Sequence, residues 1–157
     1  MKAAVIEEAG GKFIVKDVDK PSPAENEVLI KVEACGICHS DNFVKEGGFP
    51  GLEYPRIPGH EVVGIVEEVG SNVSNWEKGQ RVGVGWHGGH CFECEPCRRG
   101  DFINCENGKV SGIHYDGGYA EYMTAPKEAI AKVPDELSSA DAAPLLCAGI
   151  TVYNALR

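Results

Sequence analysis

Four of the seven cysteines fall in one short run, and that run limits the fold more than any other feature. Cys91-Phe92-Glu93-Cys94-Glu95-Pro96-Cys97 continues to Cys105, a C-x2-C-x2-C-x7-C spacing. Cysteines separated by two residues can turn their sulfurs toward one point. Four thiolates satisfy a tetrahedral Zn²⁺ with Zn–S distances near ~2.3 Å. Such a site is closed to substrate, so its role is structural: metal binding stabilises a segment too small to hold a core of its own. A zinc lobe spanning about residues 88–110 is therefore expected. A ZnS₄ centre carries net negative charge, and backbone N–H groups of Gly88 and Gly89 with the cations Arg98 and Arg99 are candidates to offset it. Iron–sulfur ligation is the competing reading, but the usual ferredoxin spacings differ from this one.

The odd cysteine count also bears on compartment. Seven cysteines cannot all pair within one chain, and disulfides are rare in a reducing cytoplasm, so metal or thiol chemistry is the better expectation. The N-terminus has no long apolar run behind Lys2, and no stretch approaches the roughly 18 uninterrupted apolar residues of a membrane span. A cytoplasmic protein without membrane contact is expected. The formal charge of −9 disfavours nucleic acid, because phosphate repels an acidic surface.

Short runs bounded by Gly, Pro, Asn and Asp read as strands: 3–8, 13–18, 28–34, 62–69, 81–86, 118–125 and 129–133. Gly10-Gly11 reads as the turn between the first two, and Val28, Ile30 and Val32 share one face of the third. Many short strands with turn signals suggest a partly open barrel or sandwich. Helical signals are few. Ser40 to Lys45 reads as a short helix after a tight loop. Ser138 is a plausible N-cap with Asp141 in the first turn. Cys147 to Arg157 is rich in Ala, Leu, Val and Tyr and reads as a last helix. It ends without turn signal or cap, so a longer parent protein, or a separately supplied second half, is expected.

The remaining cysteines sit in three further blocks: Cys35-Gly36-Ile37-Cys38-His39-Ser40-Asp41, Pro58-Gly59-His60-Glu61-Val62-Val63-Gly64, and Leu145-Leu146-Cys147-Ala148-Gly149-Ile150-Thr151. Each is weak alone. The Cys-x-x-Cys could be a redox pair, but the alternating βα context of a thioredoxin-like site is absent. A cysteine in an apolar run is usually a small buried hydrophobe.

Together, and in this order around the four-cysteine run, the blocks resemble the zinc-dependent alcohol dehydrogenases of the medium-chain dehydrogenase/reductase superfamily. The resemblance covers essentially all of the chain. It implies a mainly β fold with a few short helices: a GroES-like, partly open β-barrel over residues 1–157 with an inserted structural-zinc lobe. It also implies an oxidoreductase that converts alcohols to aldehydes or ketones by hydride transfer to NAD or NADP, with one catalytic and one structural zinc.

Residue by residue, Cys38, His60 and Cys147 match the family's catalytic zinc ligands. Two thiolates and an imidazole leave an open fourth position, the arrangement of a catalytic rather than a structural zinc. Glu61 matches the acidic residue beside the ligating His. Asp41 matches the carboxylate that orients that His through its other ring nitrogen. Ser40 matches the hydroxyl that relays the alcohol's proton. His39 matches a residue that meets the cofactor pyrophosphate, and Thr151 a position near the nicotinamide. Trp86 and His87 lie where relatives line the substrate pocket. Cys35 has no role in the family pattern and reads as a spare buried thiol.

Two departures stand out. Many relatives carry a His three residues beyond the relay hydroxyl, where this chain has Phe43, so the relay must end in water or take another route. The Rossmann domain that seats the cofactor is absent from these residues. Gly83-x-Gly85-Trp86-His87-Gly88 spells G-x-G-x-x-G but leads into the cysteine lobe rather than a helix, and is rejected as a dinucleotide site. The expected partners are a small alcohol or aldehyde, a separate Rossmann domain and further copies in a homo-oligomer, with the chain inactive alone. Two other classes remain open: a structural or interaction zinc module without catalysis, and an assembly protein of co-chaperonin type suggested only by barrel shape.

Overall fold

The computed structural model describes residues 1–157. Two antiparallel sheets carry the fold. A hairpin pairs β1 (Lys2–Val5) with β2 (Ile14–Asp17). The main sheet holds β3 (Glu27–Cys35), β4 (Val62–Val69), β5 (Arg81–Val84), β6 (Tyr122–Pro126) and β7 (Ile130–Lys132) in the order β6-β3-β4-β5-β7. This is the mainly β, partly open architecture that the strand pattern implies. Every predicted strand is present. Most are shorter than the sequence suggests, because the ends pass into turns.

The longest strand departs from simple alternation. Val28 and Ile30 are fully buried, as a half-buried strand requires, but Leu29 between them is buried as well. Register shifts at Leu29/Ile30 and Val32/Ala34 break the β3–β4 ladder. Bulges of this kind bend a strand and raise its twist, which is how a sheet curls toward closure. The core inside the curl is built mainly of β-branched residues: Val28, Ile30, Val62, Val66, Val82, Val84 and Ile130, with Met123 and Ala125. Burying each such valine or isoleucine stabilises the fold by roughly 1.5–3 kcal/mol.

Four short helices decorate this frame: α1 (His39–Glu46), α2 (Glu95–Arg98), α3 (Ser139–Ala142) and α4 (Ala148–Ala155). In α1 the N-cap is Cys38, whose N–H donates to the Asp41 carboxylate at 2.9 Å. Ser138 caps α3 by accepting from the Asp141 N–H at 3.1 Å, as its sequence position suggests. Helix α2, inside the cysteine run, carries Pro96 in its first turn and is too short to leave a periodic signal. Helix α4 buries none of its residues: Ile150, Val152 and Tyr153 are exposed, as is Leu156 beyond it. No helix is long and apolar enough to cross a membrane.

Candidate metal centres and adjoining cleft

All seven cysteines are free thiols, and six of them gather into two groups that could hold a metal ion. The first is Cys91, Cys94, Cys97 and Cys105; the second is Cys38, His60, Glu61 and Cys147. Within each group the ligating atoms lie within 4.8 Å of one another. Cys35 joins neither.

The four-thiol group is assembled from a loop, helix α2 and one 3₁₀ turn. Cys105 Sγ lies 3.6 Å from Cys91 Sγ and 3.8 Å from Cys94 Sγ. Backbone amides point at the sulfurs: the Cys91 N–H donates to Cys105 Sγ at 3.3 Å and the Cys94 N–H to Cys91 Sγ at 3.4 Å. The amides of Cys94 and Glu93 hold the Cys91 thiol down to about 6. Burial, then the neighbouring thiols of Cys94 and Cys105, push Cys97 up to about 12. Two of the donors proposed from sequence, the Gly88 N–H and Arg99, are engaged elsewhere. The Gly88 N–H donates to the Lys109 carbonyl, and Gly89 accepts from the Lys109 N–H. Arg99 pairs with Glu95 at 2.7 Å and with Asp101 at 3.6 Å. The amides of Cys91 and Cys94, aimed at the sulfurs, supply positive field within the loop itself.

The second group draws on distant parts of the chain. Cys38 and Ser40 sit at the start of α1, His60 and Glu61 immediately precede β4, and Cys147 precedes α4. Cys38 Sγ lies 3.9 Å from Cys147 Sγ and 3.6 Å from Ser40 Oγ. His60 is 1% exposed and Glu61 3%. The His60 ring stands edge-on to Trp86, with centroids 5.1 Å apart. Its Nδ1 faces Asp41 Oδ1 at 3.3 Å, while its buried Nε2 has no hydrogen-bond partner. A buried polar nitrogen left without a partner is costly, and a metal ion is the natural acceptor of its lone pair.

Asp41 is the hub of this arrangement. Its carboxylate accepts from the Cys38 N–H at 2.9 Å, the Gly59 N–H at 3.3 Å and the Tyr119 hydroxyl at 2.7 Å, besides facing His60. Burial acts to raise its pKa, but the bonds from His60, Tyr119 and Cys38 outweigh burial and hold it below the usual carboxylate range. Burial acts to lower the His60 pKa, and Asp41 outweighs it in the opposite sense. Both partners thus shift toward the charged pair. Gly59 must be glycine here. Its φ is +104°, and a Cβ would meet the Tyr119 ring at 2.8 Å and Cys35 Sγ at 2.9 Å. Gly36 gives Glu61 its room, since a Cβ there would lie 1.9 Å from Glu61 Oε2.

Tyr119 is the residue that sequence reasoning missed. It lies in a Gly-rich stretch, 78 positions from Asp41, and no spacing rule links them. Cys35 is set apart from the ligands: burial pushes its thiol up to about 12, and its Sγ approaches the Gly36 carbonyl. For Cys38, burial acts to raise the thiol, but the Ser40 amide and hydroxyl, then His60 and Cys147, outweigh it and keep it below its ordinary value.

Ser40, Trp86, His87, Cys147 and Thr151 all line one cleft of about 570 Å³, which opens beside the second group. His39 lines a neighbouring open depression together with Cys38, Asp41, Asn42 and Tyr119, and stands edge-on to Phe43 at 5.4 Å. Thus Ser40, Asp41, Glu61 and Thr151 come together around or beside the donor set, and His39 lies beside Cys38 and Asp41 in a depression separate from the Ser40–Thr151 cleft.

Curled sheet, inserted lobe and paired donor sets are the features of a zinc-type dehydrogenase catalytic domain. Residues 24–135 match the family described as the alcohol dehydrogenase GroES-like domain, and the chain belongs to that family. It is 46% identical over 156 residues to the alcohol dehydrogenase patD of Aspergillus clavatus, covering 99% of this chain and 40% of that protein. It is 46% identical to an alcohol dehydrogenase of Geobacillus stearothermophilus, covering 100% of this chain and 47% of the relative. The structure of a cobalt- and zinc-bound thermostable alcohol dehydrogenase from Pyrobaculum aerophilum superposes with a TM-score of 0.89 at 30% identity, covering 98% of this chain and 47% of that one. The chain therefore spans less than half the length of these relatives.

Proposed function

We propose that the chain is the catalytic zinc domain of an NAD(P)-dependent alcohol dehydrogenase that interconverts alcohols with aldehydes or ketones by hydride transfer. The observation that carries this reading is the unpartnered, buried His60 Nε2 beside two thiols, with Asp41 fixed on the ring's other nitrogen. With Nδ1–H donating to Asp41, Nε2 keeps a free lone pair, and the donor set suits zinc with an open position. Cys38, His60 and Cys147 would hold that zinc, and Cys91, Cys94, Cys97 and Cys105 a second, structural one. When bound, the catalytic zinc supplies Lewis acidity that lowers the pKa of an alcohol in the cleft.

The chain's own groups do the rest. Ser40, on the cleft wall beside Cys38, takes the alcohol's proton. Phe43 provides no acceptor beyond it, so the proton passes to water at the cleft mouth. Asp41 holds the tautomer and angle of His60. Glu61, packed under Gly36, stays at the edge of the donor set and can replace an outgoing ligand.

The hydride acceptor needs a nicotinamide seat. The Gly83–Gly88 run passes from β5 into the cysteine lobe and makes no helix N-terminus, so a Rossmann domain is the expected second partner. The exposed apolar side chains of α4 suit its docking, and Thr151 on that helix suits contact with the nicotinamide. A reducing cytoplasm suits seven free thiols, and a homo-oligomer is the expected assembly. Metal analysis tests the assignment: two zinc ions per chain are expected, with His60→Ala losing one. A single zinc that survives His60→Ala overturns the catalytic assignment. The 157-residue chain alone should form no NAD(P)H from alcohols, and turnover by it would sink the two-domain reading.

A further inference from the structure

One pair of side chains near the cleft is not used by the chemistry above. His87 Nε2 and His90 Nδ1 share a hydrogen bond of 2.9 Å. His90 is packed between aromatic rings, stacked on Phe102 at 4.1 Å and edge-on to Phe92 at 4.3 Å. Phe92 adopts φ +62°, a left-handed conformation rare for a residue with a side chain, and so lies against His90. His90 Nε2 is buried with no partner. His87 Nδ1 also lacks a partner but is not buried, and His87 lines the cleft together with Ser40 and Cys147.

These facts select a tautomer. A neutral imidazole has one N–H and one lone pair. If His87 donated to His90, the His90 Nε2–H would be a donor stranded among phenyl rings. If His90 donates instead, only a lone pair is left unmatched there. Buried orphan N–H groups are the rarer and costlier defect. His90 therefore donates from Nδ1 to His87 Nε2, and the remaining proton of His87 sits on Nδ1, at the cleft wall. We propose that His87, set in this state by His90, is a specificity-determining hydrogen-bond donor, and that the cleft takes alcohols carrying a second, neutral oxygen acceptor such as an ether, carbonyl or further hydroxyl.

The rest of the lining fits this class. Trp86, Ile103, Leu145, Leu146 and Ile150 give the cleft an apolar wall facing the polar groups of Ser40, Thr151 and Asn154, and a donor fixed by His90 discriminates there between an oxygen and a methylene. Glu128 lines the same cleft, and no Lys or Arg does, which disfavours carboxylate or phosphate on the substrate. His90 acts only through His87 and is a positioning residue. The proposal rests on the dehydrogenase reading for its alcohol end, and the tautomer argument is independent of it.

The test uses the zinc-loaded full chain with nitrogen-15-labelled histidines. Long-range ¹H–¹⁵N spectra at neutral pH should show the proton on Nδ1 of both His87 and His90. A proton on Nε2 of His87 overturns the proposal whatever the substrate. Binding is then compared for pentan-1-ol and its two near-isosteres 3-methoxypropan-1-ol and 2-ethoxyethanol, in which an ether oxygen replaces one methylene. At least one ether alcohol should bind roughly two- to tenfold more tightly than pentan-1-ol, as one net hydrogen bond allows, and should move the His87 nitrogen resonances. His87→Phe should erase the preference, so that the ether alcohols lose more affinity than pentan-1-ol. His90→Phe, which keeps the ring stack, should weaken the preference and leave two zinc ions bound. Equal binding of all three alcohols overturns the proposal alone. Binding of none also overturns the proposal, and the dehydrogenase reading then stands or falls on the zinc count of wild type against His60→Ala.

Discussion

Cys91 and Cys105 lie 14 residues apart in one lobe with sulfurs 3.6 Å from each other, whereas Cys38 and Cys147 reach 3.9 Å across 109 residues. The lobe turns its sulfurs inward by local backbone geometry, and its loop amides serve them directly. The Cys38–His60–Cys147 group depends on the barrel: α1, the start of β4 and the segment before α4 must dock before the donors meet. A local site should therefore rise and fall with its metal. A site borrowed from the tertiary frame should lose metal without losing the frame.

The largest expected effect comes from the lobe. Cys97, 5% exposed, is its most buried donor. Cys97→Ser should release one metal per chain and open residues 91–105 to proteolysis, because zinc binding in such segments carries on the order of 10 kcal/mol of folding free energy. The barrel should persist, with near-native far-ultraviolet circular dichroism and the second metal retained. Loss of both metals together would show that the lobe is not an independent unit.

Next is the hub of the borrowed site. Asp41→Ala leaves His60 Nδ1, the Gly59 and Cys38 amides and the Tyr119 hydroxyl facing a void. Breaking a buried, hydrogen-bonded pair typically costs about 3–5 kcal/mol. Urea denaturation should register that loss. The milder Asp41→Asn should lower affinity for the cleft metal by roughly 10–100-fold. In both variants the lobe should keep its zinc, and a parallel loss there would erase the distinction between the two sites.

Tyr119→Phe probes one contact of the same hub. A hydrogen bond to a charged acceptor is worth about 1.5–3 kcal/mol, so the chain should lose up to that much stability while the metal affinity of the cleft changes less than in Asp41→Asn. An unchanged denaturation midpoint would remove Tyr119 from the support of Asp41.

This comparison also explains what could be read in the sequence. The lobe was legible because its ligands are near neighbours and their spacing is itself the geometry. The strands were legible from alternation and turn residues, and the short α1 from its position after the Cys35–Cys38 loop. The Cys38–His60–Cys147 set was not legible from spacing. Only the resemblance of three separate blocks to a family linked it. Tyr119 escaped even that, because its tie to Asp41 exists only after the β1–β2 hairpin, α1 and the segment carrying Gly117 and Gly118 have packed together. Leu29 was missed for a related reason: a bulged strand buries residues that alternation assigns to the outer face.

The smallest predicted effect decides how the lobe balances its charge. Cationic side chains near four thiolates are an obvious source of compensation, and Arg99 is a natural candidate on sequence position. Its guanidinium instead reaches Glu95 and Asp101, at side-chain exposures of 59% for Arg99 and 71% for Glu95. Such an exposed i,i+4 pair contributes about 0.3–0.5 kcal/mol and is screened by salt. Arg99→Ala should therefore leave lobe zinc affinity, measured by competition with a chelator, within about twofold, in line with that small energy. The amides of Cys91 and Cys94 stay aimed at the sulfurs in that variant, and they cannot be removed by changing a side chain. A drop of tenfold or more would mean that a surface charge rather than the loop backbone carries the compensation, and that the lobe is less self-contained than its local geometry implies.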